Sequence, residues 1–498
     1  VEDYSEMEFT LTFSWSDFLL ILPETWMTVL ICLVLFLDFI FPKISKNTLG
    51  YIGVAGMALT MVILGGYFST GIQGSLFNGM FAMDTFAIFF KIFVLLSSSL
   101  VILSSADYLY KVRWFKGEYY FLVLFTALGM MLMASANDLL SMFITIEFSA
   151  FGFYVLVTYH REESLVSSEA GLKLFILSVF TAAIMAFGIS LIYGETGTIL
   201  FDQIAALKPL PTTGLILGFL FIVIGLGFKI GAVPFHSWIP DIYQGAPTPV
   251  TAFLSIAPKG AALAIVLRFF FSIFGEYKED WVWLMVALSA ISMTYGNIVA
   301  IAQKDIKRLL AYSGIAQIGN VLIGVAAATK LGGDSVLYYL LTYLFANLGA
   351  FAAVIAFSNR TGSDQIEDYS GLNRRSPFLA MALFIFLLSL AGVPPLAGFL
   401  GKIYVFAAAV KEGLITLLII GLVNIVIAMY YYLVVVKKMY INEPTDKSPI
   451  PVPWALKATI YICLAGVLIL GIYPKPVMEF TVASTQIFSH LVTTAMIK

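Results

Sequence analysis

The sequence predicts an all-α polytopic membrane protein with about fourteen transmembrane helices, and three observations predict it. Of 498 residues, 60% are hydrophobic and only 12% charged, with a mean hydropathy of +0.95. Apolar runs of roughly 20 residues recur from end to end, each enough to cross about 30 Å of hydrocarbon as a helix. Strand alternation of the membrane-barrel kind is absent, so helices are the remaining way to satisfy the backbone in lipid.

The spans fall at approximately 17–41, 49–69, 82–105, 118–135, 138–158, 166–193, 214–239, 248–274, 281–303, 306–329, 334–358, 376–409, 413–436 and 453–473. The acidic opening VEDYSEMEF lacks the basic region of a signal peptide, so the first span is expected to be retained. The longest polar connections lie near 105–118, 194–213, 359–376 and 437–452, and the last stretch reads as a short interfacial tail. Orientation follows from loop lysines and arginines. One side collects Lys43, Lys46, Lys111, Arg113, Lys116, Arg161, Lys304, Lys307, Arg308, Arg360, Arg374, Arg375, Lys437, Lys438, Lys447 and Lys457. The other collects Lys208, Lys278, Lys330, Lys411, Lys475 and Lys498. The richer side is expected to be cytoplasmic, with both termini on the periplasmic side of a bacterial inner membrane.

Composition also excludes. The net charge of −2 gives no basic patch for nucleic acid. Cys32 and Cys463 lie far apart and supply no disulfide framework, no CxxC and no cluster or zinc ligand set. GLGFKIG spaces its glycines wrongly for a dinucleotide loop and lies inside a span. No flavin, nucleotide, haem or cluster motif appears, so redox chemistry is expected on other chains and no metal or cofactor on this one.

Two spans carry matching interruptions, AVPFHSWIPDIY (Ala232–Tyr243) and GVPPLAGFLGKIY (Gly392–Tyr404). With one gap, Val-Pro and Ile-Tyr coincide. Pro234, Pro394 and Pro395 remove backbone donors in mid-span, and the glycines let the chain unwind. A third proline, Pro258, precedes Lys259 and is expected to break its helix. Paired interrupted helices point to an internal repeat and an ion path; chance kinks are the plainer alternative.

Six basic residues lie inside spans: Lys91, Lys173, Lys229, Lys259, Arg268 and Lys402. Lys91 and Arg268 sit within about two turns of a span end and are expected to snorkel. The other four are expected to be buried with one carboxylate, Glu147, nine residues past Asp138 and so roughly 13 Å into its helix at 1.5 Å per residue. A charge at such depth costs about 2.5–3.5 kcal/mol on insertion scales. One reading is a static ion pair. The other is a proton relay, because moving a carboxylate relative to a buried amine changes its proton affinity. His236 beside the first interruption is a candidate for proton entry. Ser313, Gln317 and Asn320, at helical spacing, could carry water or form interhelical hydrogen bonds.

FKIGAVPFHSWIPDIYQGAPTPVTAFLSIAPKGAALA, QKDIKRLLAYSGIAQIGNVLIG and GVPPLAGFLGKIY together resemble the antiporter-like, Mrp-related membrane subunits of respiratory complex I. The resemblance covers almost the whole chain and is nearest the family's N-type branch. The chain ends without the long lateral helix of the L-type branch, and Lys402 stands where the M-type branch has glutamate. The resemblance implies two inverted five-helix repeats, each with a broken helix, at 118–274 and 281–436, flanked by 1–117 and 437–498. It implies proton translocation coupled to electron transfer from NADH to quinone. Glu147, Lys173, Lys229, Lys259 and Lys402 would form the relay. NADH, FMN, iron–sulfur clusters and quinone would sit on partner subunits. The neighbours would be an M-type subunit and a small K-type subunit, with lipids around them. A cation/proton antiporter subunit, or a subunit of a related membrane-bound hydrogenase or dehydrogenase, is the alternative. One departure stands out: where the family's SSIAHxGY phrase carries histidine and tyrosine, this chain reads SGIAQIGN, and Gln317 cannot titrate.

Overall fold

The computed structural model describes residues 14–109, 117–160, 164–208, 210–444, 446–489 and 491. Lys111, Arg113, Lys116, Arg161 and Lys498 of the charge count lie outside them, as does the acidic opening. In chain order come α1 (Trp15–Ile40), α2 (Lys46–Thr70), α3 (Thr85–Leu109), α4 (Glu118–Ser135) and α5 (Leu139–Val157). Next are α6 (Leu165–Thr196), α7 (Phe201–Leu207), α8 (Thr213–Ile230), α9 (Trp238–Gly245) and α10 (Thr248–Arg268). They are followed by α11 (Lys278–Ile301), α12 (Ile306–Ala326), α13 (Lys330–Thr361), α14 (Leu372–Arg375) and α15 (Pro377–Ala391). The last are α16 (Ala397–Lys411), α17 (Ile415–Tyr440), α18 (Trp454–Ile472) and α19 (Lys475–Ser484).

Among the described residues, 13 helices are long and apolar enough to cross a membrane. The fourteenth span is composite: α15 stops at Ala391, and α16 resumes at Ala397. The span expected at 214–239 likewise stops at Ile230. One small strand pair was not expected. β1 (Gly74–Leu76) pairs with β2 (Phe81–Met83) between α2 and α3, and three residues are too few to show alternation in sequence.

α3, α10, α12 and α13 form the centre, α12 being buried at every position but Arg308. Its polar side chains must therefore meet other helices. α6 and α8 cross at glycines: a β-carbon on Gly188 would lie 2.7 Å from the Gly218 carbonyl, and one on Gly218 2.8 Å from the Gly188 carbonyl. Small residues admit such close backbone approach. The tail is more than interfacial. Phe488 is fully buried, its ring 5.2 Å from both Phe86 and Phe271.

The two interruptions share one geometry. α8 and α15 each end on a left-handed glycine, Gly231 (φ 76°) and Gly392 (φ 89°), a conformation that favours glycine. The next amide returns to the helix, Ala232 to the Gly227 carbonyl at 2.9 Å and Val393 to that of Leu388 at 3.0 Å. A tight turn follows, closed by Phe235 to Ala232 and by Leu396 to Val393, with cis bonds at Val233–Pro234 and Pro394–Pro395. Pro234 therefore corresponds to Pro395, not to Pro394. Ile242-Tyr243 then falls on Ile403-Tyr404 without the gap that matching Val-Pro requires.

The likeness extends outward. α5 and α12 are capped by Asp138 and Asp305, each accepting two backbone amides. Each cap also bridges to the strand-like residue after the following helix, Asp138 to Leu200 and Asp305 to Gln365. Those following helices, α6 and α13, are both 32 residues long, capped by Ser164 and Thr329 and ended by left-handed Gly197 and Gly362. Five spans separate each element from its counterpart, and an odd number reverses direction, which makes the repeat inverted.

Candidate functional site

Lys229 lies one residue before the end of α8, two before Gly231. Its Nζ donates to Glu147 Oε1 of α5 and to Ser178 Oγ of α6, both at 2.9 Å. The Glu147 side of this pair borders an exposed apolar face of α5 formed by Leu140, Ile144, Phe151 and Val155. A cavity of about 50 Å³ beside Lys229 is lined by Ser149, Tyr154, Ser178, Trp238 and Pro258.

Lys259 is 1% exposed in the middle of α10. Its Nζ has no hydrogen-bond partner among the described residues, and the Tyr243 ring lies 5.7 Å away. Lys402 on α16 is equally buried and reaches back across the second interruption. Its Nζ donates to the Leu390 and Ala391 carbonyls at 3.0 and 2.8 Å. These belong to the last turn of α15, where carbonyls lack partners within the helix and carry its negative dipole end. Neither Lys259 nor Lys402 forms an ion pair among the described residues. Pro234, Pro394 and Pro395 lie in the two turns, whereas Pro258, expected to break its helix, leaves α10 continuous, because a proline removes one backbone donor and the flanking turns still pair.

Gln317 Nε2 donates to the same Leu390 carbonyl at 3.0 Å, and its Oε1 accepts from the Tyr339 hydroxyl. Ser313 shares a 2.5 Å hydrogen bond with the Tyr432 hydroxyl. Asn320 Nδ2 donates to the Ala316 carbonyl of its own helix. A cavity of about 10 Å³, about the least that holds one water, is lined by Gln317, Thr342, Tyr343, Ser389 and Lys402. His236 packs against Tyr295 with ring centroids 4.6 Å apart, and its buried Nδ1 has no hydrogen-bond partner among the described residues.

Three placements differ from the sequence reading. Lys173 is not buried: its side chain is 43% exposed, pairing with Glu169 at 2.8 Å and Asp241 at 3.0 Å. Asp241 in turn pairs with Arg308 at 2.9 Å, so Lys173 belongs to a rim network at the end of the bundle. Lys91 and Arg268 do not snorkel. Lys91 is wholly buried 2.6 Å from Glu24 Oε1, under the Phe81 ring at 4.8 Å. Arg268 Nη2 meets both oxygens of Asp84 at 2.9 and 2.8 Å and the Ala134 carbonyl at 3.3 Å. Glu24 and Asp84 are carboxylates that the sequence reading passed over. Applying the rule for charges inside a span to acids as well as bases would have found Glu24.

The repeat relates these groups position by position. Glu147 stands nine residues past its cap and corresponds to Gly314. Ser178 stands fourteen past its cap and corresponds to Tyr343. Lys229, two before the left-handed glycine, corresponds to Leu390, and Asp241, ten after it, to Lys402. No cluster of three or more His, Cys, Asp or Glu side chains suited to a metal occurs among the described residues.

Comparison with known proteins agrees with this architecture. The family model for NADH:quinone oxidoreductase/Mrp antiporter transmembrane proteins matches residues 136–428. An NADH-quinone oxidoreductase subunit N of Desulforamulus reducens is 42% identical, covering 95% of this chain and 99% of that one. The Moorella thermoacetica subunit N is 41% identical, covering 91% and 95%. A chain of respiratory complex I from Thermus thermophilus with bound aureothin superposes with a TM-score of 0.79 at 32% identity, covering 93% and 99%. A chain of the Mrp complex of Dietzia sp. reaches a TM-score of 0.84 at 22% identity, covering 94% and 97%, a likeness of fold alone. By architecture, family match and near-full-length relatives, this chain belongs to the NADH-quinone oxidoreductase subunit N family.

Proposed function

We propose that this multi-pass membrane chain moves protons along Glu147, Lys229, Lys259 and Lys402, which protons reach through Lys173 at the rim and the buried His236 beside the first interruption. As a member of its family it is a proton-translocating membrane-arm subunit of an NADH:quinone oxidoreductase, working beside other membrane subunits. The observation that carries the relay is the sequence of environments. One amine is held by a carboxylate, the next by no hydrogen-bond partner, and the third by two carbonyls. A proton held so differently at successive stations can be shifted by moving one charge, Glu147.

In this reading the exposed apolar face beside Glu147 receives a neighbouring subunit, proposed to be of the M or K type. NADH, FMN, the iron–sulfur clusters and quinone are placed on partner subunits, and this chain is expected to hold none of them. The repeats are taken as 118–274 and 281–436. The chain is taken to lie in a bacterial inner membrane with both termini on the periplasmic side, an orientation that the loop charges favour.

The test is proton pumping by reconstituted complex carrying Lys229→Ala, normalised to NADH:quinone electron transfer. Protons per electron should fall while assembly holds. An unchanged ratio in assembled complex would remove Lys229 from the path and leave the pair a structural one.

A further inference from the structure

We infer that the Tyr343 hydroxyl is the proton-passing group between Lys259 and Lys402, an inference that rests on the relay reading above. In the first repeat, Lys229 touches Glu147 and Ser178. The counterparts of those two residues in the second repeat are Gly314 and Tyr343, and both face Lys259. A β-carbon on Gly314 would lie 3.2 Å from Lys259 Nζ and 3.0 Å from Tyr343 Oη. The place of the carboxylate is thus occupied by no side chain, and the hydroxyl and the amine both face it.

Both atoms are buried, and neither has a hydrogen-bond partner among the described residues. Buried polar atoms are nearly always paired, so two orphans facing one glycine are a functional signal rather than a packing detail. Tyr343 also lines the small cavity that Lys402 enters. The alternative carrier, Gln317, has its carbonyl taken by Tyr339 and an amide proton committed to Leu390. A carboxamide held at both ends has no site for a travelling proton.

In the step, the Lys259 side chain swings across the space beside Gly314 into hydrogen-bond reach of Tyr343 Oη, an N–H bond of its ammonium breaks, and the proton binds a lone pair of that oxygen. The original phenolic O–H bond breaks, and that proton passes through a water in the cavity to the Lys402 amine, where a new N–H bond forms. The phenol is neutral before and after, and no electron changes hands. Rotation about the C–O bond resets it.

The experiment compares protons per electron in assembled, reconstituted complex carrying Tyr343→Phe, Gly314→Ala, Lys259→Met and Lys402→Met. Tyr343→Phe removes a single unpartnered oxygen, and Gly314→Ala places a methyl between the two polar atoms, whose flexible ends can yield. Both should lose pumping to the same extent as Lys402→Met. If both keep the wild-type ratio while the two lysine variants lose it, the relay stands and Tyr343 is not its link. If the lysine variants also keep it, the relay reading itself falls. Should Tyr343→Phe fail to assemble, Gly314→Ala decides alone.

Discussion

Glu24 and Lys91 offer a test that separates a structural charge pair from a relay. Their side chains are 4% and 0% exposed and 2.6 Å apart, with no carboxylate other than Glu24 in salt-bridge contact with Lys91 among the described residues. At an effective dielectric near 20 such a pair attracts by roughly 4–6 kcal/mol. Desolvating each ion costs several kcal/mol, so the pair as a whole is close to neutral. Removing one partner keeps the desolvation and loses the attraction. Among the described residues, Glu24→Leu leaves the ammonium in contact with the Met83 sulfur at 3.4 Å and the Phe81 ring. Each single variant, Glu24→Leu or Lys91→Met, should therefore cost about 3–5 kcal/mol, and the double variant no more than about 1–2 kcal/mol.

The chain supplies its own reporter. Cys463 is buried on α18, which packs against α3, the helix of Lys91, whereas Cys32 is exposed. In a Cys32→Ser background, a thiol reagent reaches Cys463 only on opening. The single variants should speed its labelling by roughly two to three and a half powers of ten, at about 1.4 kcal/mol per power, and the double variant should return it nearly to wild type. The double variant should also keep protons per electron. If it labels as fast as the singles, the ion-pair argument is wrong. If it labels slowly but pumps poorly, this pair belongs to the proton path.

The crossing of α6 and α8 sets where Lys229 stands relative to Ser178. Gly218→Ala would bring a β-carbon within 2.8 Å of the Gly188 carbonyl, forcing the helices apart at a cost of about 1–3 kcal/mol. Pumping should fall with it, and unchanged pumping would show that the Ser178 contact is dispensable. Asp305→Ala removes the two amide bonds that cap α12 and should destabilise by about 1 kcal/mol, while Asp305→Asn retains most of the cap. The Cys463 labelling rate distinguishes them.

The spans were legible because their apolar length is a property of contiguous residues. The interruptions were legible because proline and glycine mark a broken helix locally. Their register was not. Matching the dipeptide Val-Pro set Pro234 against Pro394, whereas the residue performing the same task in both turns is the left-handed glycine, which puts Pro234 against Pro395. Depth was readable along a helix, but the face was not. Lys173 is shallow and turned outward, so its distance from the span end said nothing of burial. Lys91 and Arg268 were misread for another reason. Whether a cation near a span end snorkels depends on whether an acid from a distant segment meets it, and Arg268 finds Asp84 across 184 residues. Glu147 was readable as an acid nine residues into its helix, but its contact with Lys229 needed three helices placed together.

The exchange of charges between the repeats has a geometric consequence. Inversion by itself would place a pair of equivalent lysines on half-helices facing opposite ends of the bundle. Here the amine moves from the Lys229 position before the turn to the Lys402 position after it, and the two reversals cancel. α8, which carries Lys229, starts beside the Lys208–Glu276 ion pair, and α16, which carries Lys402, ends at the Glu412 that meets Lys278. Both lysine-bearing halves thus run between the interruptions and the same end of the bundle. With Lys259 midway along α10, the three amines form a line across the bundle rather than through it. A line in that direction cannot carry a proton from one face to the other unaided. It needs a connection to each face, and the Asp241 position supplies a natural one at the opposite end, where the counterpart of Lys402 is an acid bonded to Lys173 and Arg308. In the relay proposed above, the charge swap would divide the labour: the first repeat would open toward the rim through Asp241, and the second would hold its amine inside.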